Sequence, residues 1–117
     1  MERRYATQME AARQGIVTPE LETVAKKEQM RVEELLPLVA QGKAVIPANR
    51  LHTCLEPEGV GSMLRTKINV NLGVSRDCKD YDVEMEKVRS AAAMGADAIM
   101  DLSSHGDTRP FREKLVA

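Results

Sequence analysis

The side chains best suited to bind a ligand lie in two apolar stretches of the second half of the chain. Asn69 and Asn71 lie near the end of the first stretch, and Met100, Asp101 and Ser103–Ser104 end the second. In parallel α/β folds, polar groups at the carboxyl ends of strands face the ligand site. Asparagine amides suit a neutral heterocycle or a ribose phosphate, and a carboxylate suits a hydroxyl or an amine. Such residues also cap loops and helices, and the residues alone favour that structural role.

The cysteines and histidines are not spaced as metal ligands. Cys54 and Cys78 form no CxxC pair, so they are interpreted as loop or buried thiols rather than as a metal or cluster site. His52 and His105 have no HxxxH or HxxE spacing and are interpreted as loop histidines. A histidine beside a ligand cleft would still be a usable acid or base near neutral pH, and His105 follows the second apolar stretch closely enough to face such a cleft.

Two other patterns predict structural roles. The segment 59–61, Gly-Val-Gly, lacks the preceding strand and the following helix that a phosphate-binding loop requires, so it predicts a turn. Glu84, Glu86 and Lys87 predict a solvated helix face.

The composition is that of one small globular domain or of part of a larger one. The chain has 117 residues, a net charge of −1, 43% hydrophobic and 30% charged residues, which is ordinary for a folded domain. The absence of a basic stripe argues against nucleic-acid binding. No apolar run approaches the roughly 20 residues that a membrane span needs, so no membrane role is expected. Cysteine usage and the charged start of the chain predict a reducing, cytoplasmic location.

The first 50 residues carry helix signals. One helix is predicted over residues 7–15, and a second over 18–28, where a threonine cap precedes a proline at the first helical position. A third is predicted over 32–40, with Pro37 either kinking it or displacing its start. Residues 44–48 predict a short edge strand.

The remainder alternates between strand and helix signals. After a loop over 49–63, residues 64–72 alternate as a strand does, 80–94 predict a capped helix, 98–102 a buried strand, and 107–116 a last helix. This order predicts a parallel sheet with right-handed crossovers, which two units alone would leave open. The predicted buried stripe of the longer helix consists of Tyr81, Met85, Val88 and Ala92.

Four segments together resemble the phosphomethylpyrimidine synthase family. They are residues 7–20, 42–49, 67–73 and 95–103, and they occur in the family's order and spacing over nearly the whole chain. A chance match to one such segment is easy, whereas a match to all four is not. The chain is therefore identified as similar to the N-terminal part of that family.

The resemblance implies a fold, an activity and two site residues. Family members are radical S-adenosylmethionine lyases that convert aminoimidazole ribotide to hydroxymethylpyrimidine phosphate in thiamine biosynthesis. They fold as a (β/α)8 barrel and work as homodimers. A C-terminal three-cysteine motif binds a 4Fe–4S cluster, and histidines of the later barrel bind zinc. Asn71 matches the family's ribotide-binding asparagine on the first strand, and Met100 matches the ribotide-binding methionine on the second.

The expected architecture is an incomplete α/β fold. Residues 1–50 are expected to form a helical segment with a short strand, and residues 51–117 to begin a (β/α)8 TIM-type barrel with its first two βα units. The cluster cysteines and the metal histidines have no counterpart in this chain. We therefore expect a fragment or truncated product that supplies part of the ribotide pocket, binds no cofactor alone and has no activity alone.

Two alternatives remain open. The loop over 55–61 and the run over 71–78 resemble a shorter branch of the family, whose relatives include hydroxybenzimidazole synthase of cobamide lower-ligand synthesis. That enzyme starts from the same ribotide, so the shared strands do not separate the two products. The alternative from another class is a non-catalytic binding or assembly fragment, whose open strand edges would promote association.

Overall fold

The chain forms two units, each containing helices and a two-stranded sheet. The computed structural model describes residues 3–77 and 80–117. The first unit comprises Met1–Arg50 and Leu55–Thr66, and the second comprises Leu51–Cys54 and Lys67–Ala117. Cys78, interpreted above as a loop or buried thiol, lies outside the described residues.

Three short helices form most of the regular secondary structure of the first unit. Helix α1 spans Gln8–Arg13, α2 spans Pro19–Lys27 and α3 spans Val32–Ala40, which confirms the three predicted helices. The hydroxyls of Thr7 and Thr18 each accept a hydrogen bond from a main-chain N–H three residues later. These caps satisfy donors that the first helical turn leaves without partners, and so they define where α1 and α2 begin.

Helix α3 begins at Val32 and continues through Pro37. Proline removes one main-chain donor from a helix interior, which is costly in an isolated helix. The start of α3 is nevertheless the one that its apolar pattern predicts, so Pro37 does not displace it. Leu35 and Val39 are buried on the inner face of this helix, and that burial offsets the lost hydrogen bond.

The sequence predicted one of the two strands in the small sheet of the first unit. Strand β1, Ala44–Val45, pairs antiparallel with β2, Val60–Gly61. The interpretation of residues 59–61 as a turn, within a longer loop, is therefore wrong. Gly61 has φ +145°, and a Cβ there would lie 2.3 Å from the carbonyl oxygen of Lys43. The glycine thus permits a close approach of two backbones.

A single apolar cluster holds the first unit together. Leu64, predicted to begin a strand, packs against this cluster instead, and the strand starts only at Asn69. The cluster joins the inner faces of α2 and α3 to β1, which makes it the main source of hydrophobic stabilisation in this unit. Its buried members are Ala12, Leu21, Val24, Ala25, Leu35, Val39, Ala44 and Ile46.

The second unit alternates strand and helix, as predicted. Strand β3 spans Asn69–Leu72, α4 spans Tyr81–Ala93, β4 spans Ala98–Asp101 and α5 spans Arg109–Leu115. Strands β3 and β4 are parallel neighbours, which confirms the predicted parallel pairing. The chain is therefore a mixed α/β protein, and its described residues contain two-stranded sheets rather than a closed barrel. Among these residues, no helix combines the length and the apolar character needed to cross a membrane.

Helix α4 buries a stripe that only partly matches the predicted one. Its buried residues are Glu84 and Ala91. Of the four residues predicted to be buried, Ala92 is exposed and the other three are half-buried. The prediction omitted Glu84 because it assumed that only apolar side chains face inward, whereas the inward position of Glu84 is set by a main-chain partner described below.

Candidate functional site

Asn71 and Met100 lie side by side in the second unit. They are register partners in the parallel β3–β4 pair. Because side chains alternate between the two faces of a strand, Asn69, Asn71, Ala98 and Met100 share one face of this sheet. All four are exposed, whereas their neighbours along the strands are at least partly buried. The sheet thus presents one open face, here called the site face, that carries two amides and a thioether.

A hydrogen bond within β3 orients the amide of Asn71. The side-chain amide nitrogen of Asn69 donates to Oδ1 of Asn71 at 3.1 Å. With its oxygen engaged in this way, Asn71 has Nδ2 without a partner among the described residues. The site face therefore offers a hydrogen-bond donor at Asn71.

Met100 adds an apolar, polarizable surface beside that donor. The residue is 49% exposed. A thioether adapts its shape and makes favourable contacts with planar rings. An amide donor next to a thioether suits a flat heterocycle with a hydrogen-bond acceptor at its edge.

Asp101 lies on the opposite face and is fully engaged. Its Oδ2 accepts from Nε of Arg112 at 2.7 Å, and its Oδ1 accepts from the main-chain N–H of Ser103 at 3.0 Å and from the Ser103 hydroxyl. Only 8% of its side chain is exposed. Of the two roles open to Asp101, the structure favours the anchor of a loop over the binding of a ligand hydroxyl or amine.

These contacts lower the pKa of Asp101. Burial alone would raise the pKa, but the hydrogen bonds from Ser103 and Arg112 and the positive charge of Arg112 outweigh burial and hold it below its ordinary value. The folded state therefore binds fewer protons than the unfolded state at mildly acid pH. It follows that Asp101 stabilises the fold above its unfolded pKa, and that this contribution is lost as the pH falls through the lower folded pKa.

We expect the stability of the second unit to depend on this carboxylate under acid conditions. The free energy of unfolding should decline as the pH falls below about 4, the ordinary pKa of aspartate, and should decline less in Asp101→Asn. At neutral pH that variant should be less stable by about 1 kcal/mol, because Arg112 is half exposed and its ion pair is screened. Urea unfolding at a series of pH values measures both effects. Identical acid dependence in the two proteins would contradict the role of Asp101.

A second buried carboxylate anchors the loop after β3. Oε2 of Glu84 accepts from the main-chain N–H of Gly73 at 2.8 Å, and its Oε1 pairs with Lys87 at 2.7 Å. The Glu84 side chain is 1% exposed, so its interpretation as part of a solvated face is wrong. Glu86 and Lys87 do lie in solvent. Sequence reasoning missed Glu84 because its partner is a main-chain group 11 residues away.

The two strands remain joined beyond their carboxyl ends. The N–H of Leu102 donates to the carbonyl oxygen of Leu72 at 2.7 Å, and the N–H of Ser104 donates to that of Val74 at 3.0 Å. The hydroxyl of Ser103 also accepts from the N–H of Val74 at 3.1 Å. The loops that follow Asn71 and Met100 are therefore fixed to each other as well as to the helices.

The thiol and the two histidines do not converge on a metal site. Cys54 is exposed, and its thiol donates to the carbonyl oxygen of Val116 at 3.0 Å. His52 is half-buried, and His105 is exposed with its carbonyl oxygen accepting from Tyr81. Across residues 3–77 and 80–117, no group of three or more His, Cys, Asp or Glu side chains could hold a metal ion. Two cysteines in the whole sequence cannot supply a three-cysteine ligand set for a 4Fe–4S cluster.

A groove of about 950 Å³ lies between α4 and α5, apart from the site face. Met85, Pro110 and Phe111 form its apolar part, and Arg89 and Lys114 stand with acidic residues along it. The lining of this groove carries charges of both signs and includes neither Asn71 nor Met100. The groove is therefore not part of the site face.

Comparison with known proteins identifies the family. The model of the radical SAM ThiC family matches residues 7–117. The chain belongs to this family. The match includes both strands of the site face, so the paired Asn71 and Met100 lie within the matched residues.

Curated relatives agree with the assignment to the radical SAM ThiC family. Proteins named phosphomethylpyrimidine synthase are 63% identical to this chain in Clostridioides difficile (strain 630), 59% in Clostridium botulinum (strain Hall / ATCC 3502 / NCTC 13319 / Type A) and 60% in Alkaliphilus oremlandii (strain OhILAs). The alignments cover 96%, 96% and 97% of this chain. They cover 26% of each relative, so the chain spans about a quarter of the length of the relatives that it matches.

Proposed function

We propose that this chain forms one wall of the aminoimidazole ribotide pocket in a radical S-adenosylmethionine lyase of thiamine biosynthesis. The observation that carries the proposal is the pairing of Asn71 and Met100 as register partners on an exposed sheet face. Membership in the radical SAM ThiC family and the name of the relatives, phosphomethylpyrimidine synthase, support the product, hydroxymethylpyrimidine phosphate.

In this proposal the β3–β4 pair is the start of a (β/α)8 barrel. The support is that one face of the pair is open while the other is partly buried, with α4 packed beside β3 and Asp101 bonded to α5. A barrel interior would receive the open face, and further strands would pair with the outer edges. The relatives are about four times as long as this chain, which leaves room for those strands.

The residues of this chain would bind and orient the ribotide. The amide nitrogen of Asn71 would donate to the ligand while Asn69 holds the amide in place, and Met100 would pack against the imidazole ring. The cluster and S-adenosylmethionine supply radical chemistry when bound. We propose that other parts of the longer protein hold the cluster and the zinc, and that the enzyme is a cytoplasmic homodimer. These last features rest on the family resemblance.

The proposal is tested by ribotide binding to a reconstituted protein that contains this chain together with the cluster-binding part. Asn71→Ala and Met100→Ala should each raise the dissociation constant about tenfold. The first variant removes one hydrogen bond to the ligand, and the second removes one contact with its ring. Isothermal titration calorimetry measures the constant.

The matched control is Met94→Ala, since Met94 is 87% exposed at the end of α4. Binding by this control should equal that of the wild type. Wild-type affinity in both site variants would overturn the proposed pocket, and absence of ribotide binding by the unsubstituted protein would favour a non-catalytic assembly role. A hydroxybenzimidazole product, identified by mass spectrometry, would contradict the pyrimidine assignment.

A further inference from the structure

We propose that Ser103 is a positioning residue, which holds the two ribotide-binding strands at a fixed separation through its hydroxyl. The inference rests on the function proposed above and adds a residue to it. Ser103 itself lies in the loop after β4 rather than on the site face. It would act through Asn71 and Met100, without touching the ligand.

The hydroxyl of Ser103 belongs to a continuous set of hydrogen bonds. Arg112 of α5 donates to Asp101 at 2.7 Å. Ser103 donates through its hydroxyl to the same carboxylate and accepts from the N–H of Val74 at 3.1 Å. The set thus links α5, the end of β4 and the segment after β3.

Two members of this set lie close in sequence to the site residues. Asp101 directly follows Met100, and Val74 lies three residues after Asn71. Main-chain hydrogen bonds at Leu102 and Ser104 align the two segments along the strand direction. The hydroxyl adds a side-chain contact across the same junction, and the junction in turn is fixed to a helix. We expect this contact to restrict the separation between the Asn71 amide and the Met100 thioether.

A serine hydroxyl can do this because it donates and accepts at once. Alanine at position 103 would leave the Val74 N–H without its acceptor. It would also remove the hydroxyl's hydrogen bond to Oδ1 of Asp101, which would keep only the main-chain N–H of residue 103. Threonine would retain both hydrogen bonds. The side chains that meet the ligand would be unchanged in either variant.

Ribotide binding and steady-state kinetics of the reconstituted protein test the inference. Ser103→Ala should raise the dissociation constant and KM by about three- to tenfold, the range that the loss of one hydrogen bond predicts, with kcat changed by less than about twofold. Ser103→Thr should bind within about twofold of the wild type. Ser104→Ala is the matched control, because the contact of Ser104 is made by its main chain. A role in stability alone would instead lower the folded fraction and kcat, with an unchanged dissociation constant.

The outcomes separate this inference from the proposed function. If Asn71→Ala and Met100→Ala weaken binding while Ser103→Ala binds as the wild type does, the positioning role is wrong and the pocket stands. Threonine no better than alanine would also overturn the role of the hydroxyl. In an Asn71→Ala background, Ser103→Ala should weaken binding by a smaller factor than it does alone, because part of its effect passes through Asn71. Should the alanine variant fail to fold, Ser103→Cys replaces it, and unaltered affinity in that near-isosteric variant would overturn the inference.

Discussion

Replacement of Gly73 by alanine is expected to destabilise the second unit by at least about 3 kcal/mol. Gly73 has φ +146°, a conformation that side chains with a Cβ rarely adopt. A Cβ there would lie 2.4 Å from the main-chain nitrogen of Ser103 and 2.7 Å from the carbonyl carbon of Leu102. Both neighbours are backbone atoms at the junction of the two strands, so the clash is relieved only if β3 and β4 move apart.

Gly95→Ala separates the two causes of this loss. Gly95 also has a positive φ, +83°, but a Cβ there would meet no atom of the described residues within 4 Å. Gly95→Ala should therefore lower the free energy of unfolding by only about 1 kcal/mol, the penalty for a left-handed conformation. Amide hydrogen exchange at Leu102 and Ser104 measures the local effect, because both N–H groups donate across the junction. Equal exchange rates in the two variants would show that the close approach at Gly73 has no energetic importance.

Replacement of Glu84 by alanine is expected to cost about 2–4 kcal/mol, since it leaves the partly buried N–H of Gly73 without its acceptor and opens a cavity under α4. The loss of the pair with Lys87 should contribute little, because Lys87 is half exposed. The measurement is the free energy of unfolding of the second unit, obtained by urea denaturation that is monitored by hydrogen exchange.

Two variants on the same helix serve as controls. Glu84→Gln keeps an oxygen for the Gly73 N–H and fills the same volume, so it should recover most of the stability lost in the alanine variant. Glu86→Ala removes an exposed glutamate whose pair with Arg89 is also exposed, and it should change stability by less than about 0.5 kcal/mol. A Gln variant as unstable as the Ala variant would mean that charge, rather than the hydrogen bond to Gly73, stabilises this position.

Helix boundaries were predictable because local signals determine them. Thr7, Thr18 and Asp80 each accept a hydrogen bond from a main-chain N–H of the first helical turn. The energy of such a cap depends on residues within one turn, so the sequence reveals it directly. The parallel pairing of β3 and β4 was predictable for a related reason, since a strand–helix–strand order of this length favours it.

The features that could not be predicted depend on contacts far apart in the sequence. Strand β2 has two residues, too few for a periodic pattern, and it exists because Gly61 allows β1 to approach. Glu84 looks like an ordinary solvent-facing glutamate until the position of Gly73 is known. The resemblance indicated Asn71 and Met100, but their pairing and the Ser103 contacts required the register of β3 and β4, which no local signal specifies.

The parallel register of Asn71 and Met100 limits how the length of this chain can vary. A single-residue insertion or deletion within β4 would turn Met100 toward the helices and bring Ile99 or Asp101 onto the open face. Either change would put a branched hydrocarbon or a charge where the thioether now lies beside Asn71. The site would be altered even though Asn71 and Met100 were both still in the chain. Natural variation is therefore expected to exchange side chains within the two strands, and to add or remove residues outside them, for example after Ser104, where residues 105–107 are exposed.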